Sequence, residues 1–90
     1  MRFIWDASKA GKKLRKHRVS FEEAATVFRD TLSATGLDRE HSSGEHRFVT
    51  FGLSEAGRLP VVSHTEEAES IRIISARMAT RKERVIYEEG

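Results

Sequence analysis

Ser70-Ile71-Arg72-Ile73-Ile74-Ser75-Ala76 reads as a β-strand, and its reading decides the fold. Its β-branched core is broken by one arginine, so alternation sends Ile71 and Ile73 to one face and Arg72 to the other. Just downstream, Thr80-Arg81-Lys82-Glu83 has the spacing of a capping box and starts a closing helix that carries Arg84, Val85, Ile86 and Tyr87. Upstream, Leu59 to Thr65 predicts a further strand. Pro60 lacks an amide donor, so it belongs at a strand start or a sheet edge. Ser54 to Arg58 makes a tight connection, and Val49, Phe51 and Leu53 alternate as a half-buried strand does. Gly36 to Gly44 predicts a polar loop and Thr31 to Thr35 another strand.

The front of the chain is helical by pattern. Ser20-Phe21-Glu22-Glu23 reads as a second capping box, and Phe21, Ala24, Ala25 and Phe28 repeat at helical spacing as far as about Arg29. Asp6 stands where an N-cap would accept backbone amides. A helix from Ala7 to Lys16 follows, with Ala7, Ala10 and Leu14 on one face and lysines on the other. Phe3-Ile4-Trp5 is a candidate opening strand. The order β-α-α, meander, helix predicts one α+β domain over residues 1–90: a small antiparallel sheet with two N-terminal helices and a C-terminal helix. Helices cover one face of that sheet and the other is partly open, with room for an RNA strand, although the architecture alone is silent on function.

The chain has 90 residues, 38% hydrophobic and 33% charged, which suits one modest core. It has no cysteine, which excludes disulfides and thiolate metal ligands. The opening segment turns polar after five residues and no apolar run has spanning length, so the expectation is a cytoplasmic protein without a membrane. The net charge is +2, yet the positive charge gathers in Lys9, Lys12, Lys13, Arg15, Lys16 and Arg18. Such a cluster suits a polyanion or an acidic partner, and equally a solvated helix face. Lys9, Lys13, Lys16 and Arg18 are the candidate RNA-binding residues.

Gly-rich phosphate loops, the HExxH zinc motif and the Gly-x-Ser-x-Gly elbow are absent. His17, His41, His46 and His64 show no metal-like pairing and read as surface residues, so neither metal nor cofactor is expected. Cutting RNA without a metal requires removing the 2′-OH proton, protonating the leaving 5′-oxygen and stabilising charge on the phosphorane. Arginine suits the last task through its planar fork. Arg47, Arg72, Arg77 and Arg84 lie on or beside the strands and last helix that would aim them. Each would serve as readily in a salt bridge to Glu22, Glu23, Glu45, Glu83 or Glu88. His17, between Lys16 and Arg18, is held towards its neutral form and could act as a base, or simply bond backbone between helices. Trp5 and Phe28 read as core anchors; Tyr87 is either a core residue or a proton donor.

Trp5-Asp6, Lys9, Lys16-His17, Ser20-Phe21-Glu22-Glu23-Ala24, Val27-Phe28, Asp30, His41-Ser42, Gly44-Glu45 and Arg47 together resemble the front half of BrnT proteins. Arg72-Ile73-Ile74-Ser75-Ala76-Arg77, Ala79-Thr80, Glu83-Arg84 and Tyr87-Glu88 resemble that family's closing signature. The resemblance implies a RelE-like fold, ribonuclease activity that arrests translation, and neutralisation by a BrnA-type antitoxin with a ribbon-helix-helix DNA-binding domain. It also implies that operator DNA is met only through the antitoxin. Carried over by position, His17, Arg47, Arg72, Arg77 and Arg84 are the expected groove residues. The chain departs from the family pattern at Lys13, usually asparagine; at Arg18, usually glycine; and at Pro60, usually aliphatic. Three functions stay open: a metal-independent endoribonuclease toxin, a catalytically silent partner-binding co-repressor, and an electrostatic RNA binder.

Overall fold

A computed structural model of the chain describes residues 1–39 and 46–90. The elements are β1 (Arg2–Ile4), α1 (Ala7–His17), α2 (Phe21–Thr26) running into a 3-10 turn (Val27–Arg29), β2 (Ala34–Leu37), β3 (Phe48–Phe51), β4 (Pro60–Glu67), β5 (Ser70–Met78) and α3 (Arg81–Glu89). One sheet holds all five strands in the order β1-β5-β4-β3-β2. From β2 to β5 it is the expected antiparallel meander. The expectation of a wholly antiparallel sheet is corrected at one edge, where β1 runs parallel to β5 with Phe3 opposite Ile71. Alternation encodes which face a residue takes and says nothing of strand direction, so Phe3-Ile4 reads the same either way.

The core lies between α2 with its 3-10 turn and the covered face of the sheet. Val19, Phe21, Ala24 and Val27 meet Val62, Ile71, Ile73 and Ala76, all at most 3% exposed. Phe3, Trp5 and Phe28 pack against this cluster half-buried, Trp5 edge-on to Phe21 with centroids 6.1 Å apart. Burying a side chain such as Phe21 contributes roughly 1.5–3 kcal/mol. The expected apolar face of α1 is present only in part: Ala10 packs half-buried against the core, but no residue of α1 is fully buried, Ala7 is exposed and Leu14 is 44% exposed. The cap does hold its start, where Lys9 N–H donates to Asp6 Oδ1 at 3.1 Å.

The two capping boxes part company. At α3, Glu83 N–H donates to Thr80 Oγ1 (3.2 Å) and Thr80 N–H to Glu83 Oε1 (2.8 Å), so the box closes. At α2, Glu23 N–H donates to Ser20 Oγ at 3.0 Å, but the Glu23 carboxylate turns away to Arg58 and Ser54. β2 begins at Ala34 rather than Thr31, because Asp30 Oδ1 accepts Leu32 N–H (2.9 Å) and makes a turn of the residues between. In β3 the buried residue is Thr50, with Val49 and Phe51 half-buried and Leu53 exposed beyond the strand. Pro60 opens β4 as expected. The expectations at His41, Ser42, Gly44 and Glu45 fall outside the described residues.

His64 is not a surface residue. It is fully buried, its ring 4.9 Å from Phe28 and 5.8 Å from Phe48, and its Nε2 shares a hydrogen bond of 2.7 Å with Thr50 Oγ1. Thr50 in turn shares one of 2.6 Å with Thr35. Burial pushes the imidazole pKa down to about 4, so it is neutral at ordinary pH.

Candidate active site

The face of the sheet away from the core is set by an irregularity in β5. Ser63 pairs with Ser75 and His64 with Ile73, so Ile74 is an extra residue with no partner in β4. Up to that point Ile71 and Ile73 face the core with Arg72 opposite, as alternation requires. Past it the core residue is Ala76, fully buried, and Arg77 therefore emerges on the open face. Without the bulge, Ser75 and Arg77 would follow Ile71 and Ile73 into the core. A bulge re-aims side chains in this way.

A cleft of about 360 Å³ opens there, lined by Lys13, Asp38, Arg47, Ser63, Ile74, Ser75 and Arg77. Strands β4 and β5 supply its serines as a directly opposed pair. Arg47 enters from the residue before β3, where its carbonyl accepts Asp38 N–H at 2.8 Å and ties the end of β2 to the start of β3. Lys13 comes from α1. Four residues on, and so on the same helical flank, stands half-buried His17, the last residue of α1. Partial burial, then the charges of Lys16, Lys13 and Arg77, hold its pKa below the ordinary 6.5. An imidazole that is neutral at physiological pH can accept a proton.

Arg77 is already partnered. Its Nη1 donates to Glu83 Oε1 (2.8 Å) and to Met78 O (3.2 Å), and its Nη2 donates to Glu83 Oε2 (2.9 Å). The salt bridge to Glu83, one of the alternatives open at the sequence level, is thus present together with the placement in the cleft. Because Glu83 uses the Nη edge, the Nε–H and the second Nη2–H form a side-on fork that engages no acceptor among the described residues. That fork matches two oxygens of one phosphate.

Other expected site residues lie elsewhere. Arg72 is exposed on β5 before the bulge, bonding Glu67 Oε1 through Nε at 3.2 Å. Arg84 is exposed on α3, and Lys9 and Lys16 are exposed on α1; none of these lines the cleft. Arg18 caps α1 in the left-handed region (φ 62°), and its carbonyl accepts from Arg58 Nη2 at 2.9 Å. Tyr87 stands outside the cleft, its ring 6.2 Å from Phe51 and its hydroxyl donating to Asp30. Asp38, Ser63, Ser75 and Glu83 were not singled out as site residues from sequence. Ser63 follows the apolar Val61-Val62 and Ser75 the apolar Ile73-Ile74, and that was the available signal.

The family model described as "Ribonuclease toxin, BrnT, of type II toxin-antitoxin system" matches residues 5–83. Among solved structures, the chain is similar to the crystal structure of the Brucella abortus ribonuclease toxin BrnT at 19% identity, with a TM-score of 0.65, over 90% of this chain and 99% of that one. At that identity the likeness is one of fold. A search of curated proteins finds no match.

Proposed function

Since the chain belongs to the BrnT family of ribonuclease toxins of type II toxin–antitoxin systems, we propose that the cleft between α1 and the open sheet face is where it cuts RNA. The observation that carries this reading is the convergence of Lys13, Arg47 and Arg77 on one hollow; His17 does not line it but stands one turn along α1 from Lys13, where the charges of Lys13 and Arg77 help keep its imidazole neutral. His17 takes the 2′-OH proton as the 2′-oxygen attacks phosphorus. The side-on fork of Arg77, with Arg47, meets the charge that develops on the phosphorane oxygens, where preorganised donors act most strongly. The bond to the 5′-oxygen breaks, and that oxygen takes a proton from solvent or from the Lys13 ammonium. The remaining cations of α1, Lys9 and Lys16, with Arg18 at its end, attract the strand electrostatically. Arg72 and Arg84 stay outside this mechanism.

The reaction is metal-independent in this reading. Among the described residues, three cationic side chains and one carboxylate, Asp38, line the hollow, a poor donor set for a divalent ion that wants several oxygen ligands. The resemblance supports the rest: a RelE-like fold, arrest of translation in a bacterial cytoplasm, and a BrnA-type antitoxin whose ribbon-helix-helix domain alone meets operator DNA. Among the described residues no helix is long and apolar enough to cross a membrane. The competing reading, a catalytically silent co-repressor, draws on the fact that Glu83 already offsets the charge of Arg77.

The test is RNA cleavage by the purified chain with EDTA present, comparing Arg77→Lys with the parent. Cleavage should survive chelation, and Arg77→Lys should lose roughly 10²-fold in rate per folded molecule, as for removal of one oxyanion donor. Because Glu83 also loses its fork, the melting temperature should fall as well. An activity abolished by EDTA and restored by a divalent ion, or a fully active lysine variant, would remove this mechanism.

A further inference from the structure

Glu83 stands at the meeting point of two hydrogen-bond systems that the cleft itself does not explain. Its backbone is fixed by the Thr80 hydroxyl (3.2 Å), and its Oε1 accepts both Thr80 N–H and Arg77 Nη1, each at 2.8 Å. Its Oε2 takes Arg77 Nη2 at 2.9 Å. The side chain is only 31% exposed, and Arg77 holds its carboxyl down to about 2, so it carries its charge at every pH where the protein works. The first turn of α3 therefore fixes a carboxylate, and the carboxylate fixes a guanidinium.

We infer that Glu83 is the positioning residue of Arg77: it occupies the Nη edge so that the Nε edge is presented to substrate phosphate. This rests on the reading of the cleft as the RNA-cutting site. Arg77 follows the bulge by only a few residues, and its long side chain has several staggered choices. Bidentate capture by Glu83, completed by Met78 O, selects among them before substrate arrives. A site whose donors are set beforehand needs no reorganisation during reaction. Glu83 touches no lining residue but Arg77 in these bonds, so its influence on cleavage passes through that one side chain. The same carboxylate cannot be exchanged for an amide without loss, because the amide NH₂ of Gln would meet an Arg77 N–H donor to donor.

Three variants separate positioning from stability. Glu83→Gln should lower kcat on an RNA oligonucleotide roughly tenfold or more, KM staying within about a factor of two, since slight misplacement of a catalytic group is costly. Thr80→Ala removes the cap of the same helix while leaving the Arg77–Glu83 pair, so it should lower the melting temperature and leave kcat per folded molecule intact. In an Arg77→Lys background, Glu83→Gln should cost almost nothing more, because both changes act through one group. A direct readout needs no cleavage: the Arg77 Nε–H resonance of the intact chain should be distinct in the parent and in Thr80→Ala, and merge with the exposed arginines in Glu83→Gln. A parent that cuts no RNA defeats the reading of the cleft, and the resonance still decides the positioning. An unchanged resonance or full kcat in Glu83→Gln, an equal kcat loss in Thr80→Ala, or losses that multiply in the double variant would each overturn the inference.

Discussion

Arg58 reaches Glu23 across the fold, its Nε donating to Glu23 Oε2 at 3.0 Å, while its Nη2 also donates to the Arg18 carbonyl at 2.9 Å. One guanidinium thus ties the connection before β4 to the start of α2 and to the end of α1. The pairing lowers the Glu23 pKa, chiefly through the Arg58 hydrogen bond, with Ser54 adding a second donor. Arg58→Ala should lower stability, though solvent screening weakens the pair because Arg58 is 39% exposed. Urea unfolding measures it. Cleavage per folded molecule should not change, since Arg58 does not line the cleft.

His64 sets an acid limit. In the folded chain it takes a proton only near pH 4, whereas unfolded it does so from about 6.5. Between those values the unfolded chain binds more protons, so stability falls as pH drops, by roughly 3 kcal/mol across the window, and this group adds nothing further below it. Glu83 acts lower: its folded pKa is depressed to about 2, so its contribution is present above 4.5 and is lost below. His64→Gln keeps a nitrogen toward Thr50 without titrating. Its stability should be flat from pH 6.5 to 5 relative to the parent, and an unchanged slope would remove His64 as the cause.

Arg18 sits at φ 62° and ψ 28°, a left-handed conformation that costs a side-chain-bearing residue roughly 1–2 kcal/mol. Glycine recovers most of that and loses part through its looser unfolded chain. Arg18→Gly should therefore stabilise by about 0.5–1 kcal/mol, read as a rise in melting temperature. RNA binding should weaken at the same time, with a shallower salt dependence, because one cation of the α1 cluster is gone.

Gly52 lies against the Asp30 turn. A Cβ there would stand 2.9 Å from Asp30 Oδ2 and 2.8 Å from Ser33 Cβ. Asp30 cannot easily yield, since Leu32 N–H, Leu53 N–H and the Tyr87 hydroxyl all donate to it. Gly52→Ala should cost about 1–3 kcal/mol. A thermal melt checks it, and an undisturbed midpoint would mean that the turn is free to shift.

Local chemistry made much of this fold legible. The Thr80 and Ser20 caps, the β4 start at Pro60 and the opposition of Arg72 to Ile71 and Ile73 are each decided within a few residues. What escaped depends on distant partners. The parallel pairing of β1 is chosen by the free edge of β5, and the Glu23 carboxylate by an arginine beyond two strands. His64 occupies an inward position that a polar residue seldom takes, and its acceptance there rests on Thr50, Phe28 and Phe48 from other elements. Of the candidate site, Lys13, His17, Arg47 and Arg77 were named from sequence. The outward aim of Arg77 was hidden, because plain alternation from Ile71 and Ile73 sends it into the core and Ile73-Ile74 gives no outward sign of a bulge.

The extra residue at Ile74 means that β5 is written in two reading frames, one that serves packing and one that serves chemistry. Upstream of it odd-numbered positions belong to the interior; downstream they belong to the cleft. Removing that extra residue would let β5 alternate plainly and still leave Arg77 outward, whereas ironing the bulge flat with Ile74 kept would exchange the two vocabularies and send a guanidinium where a methyl group now sits.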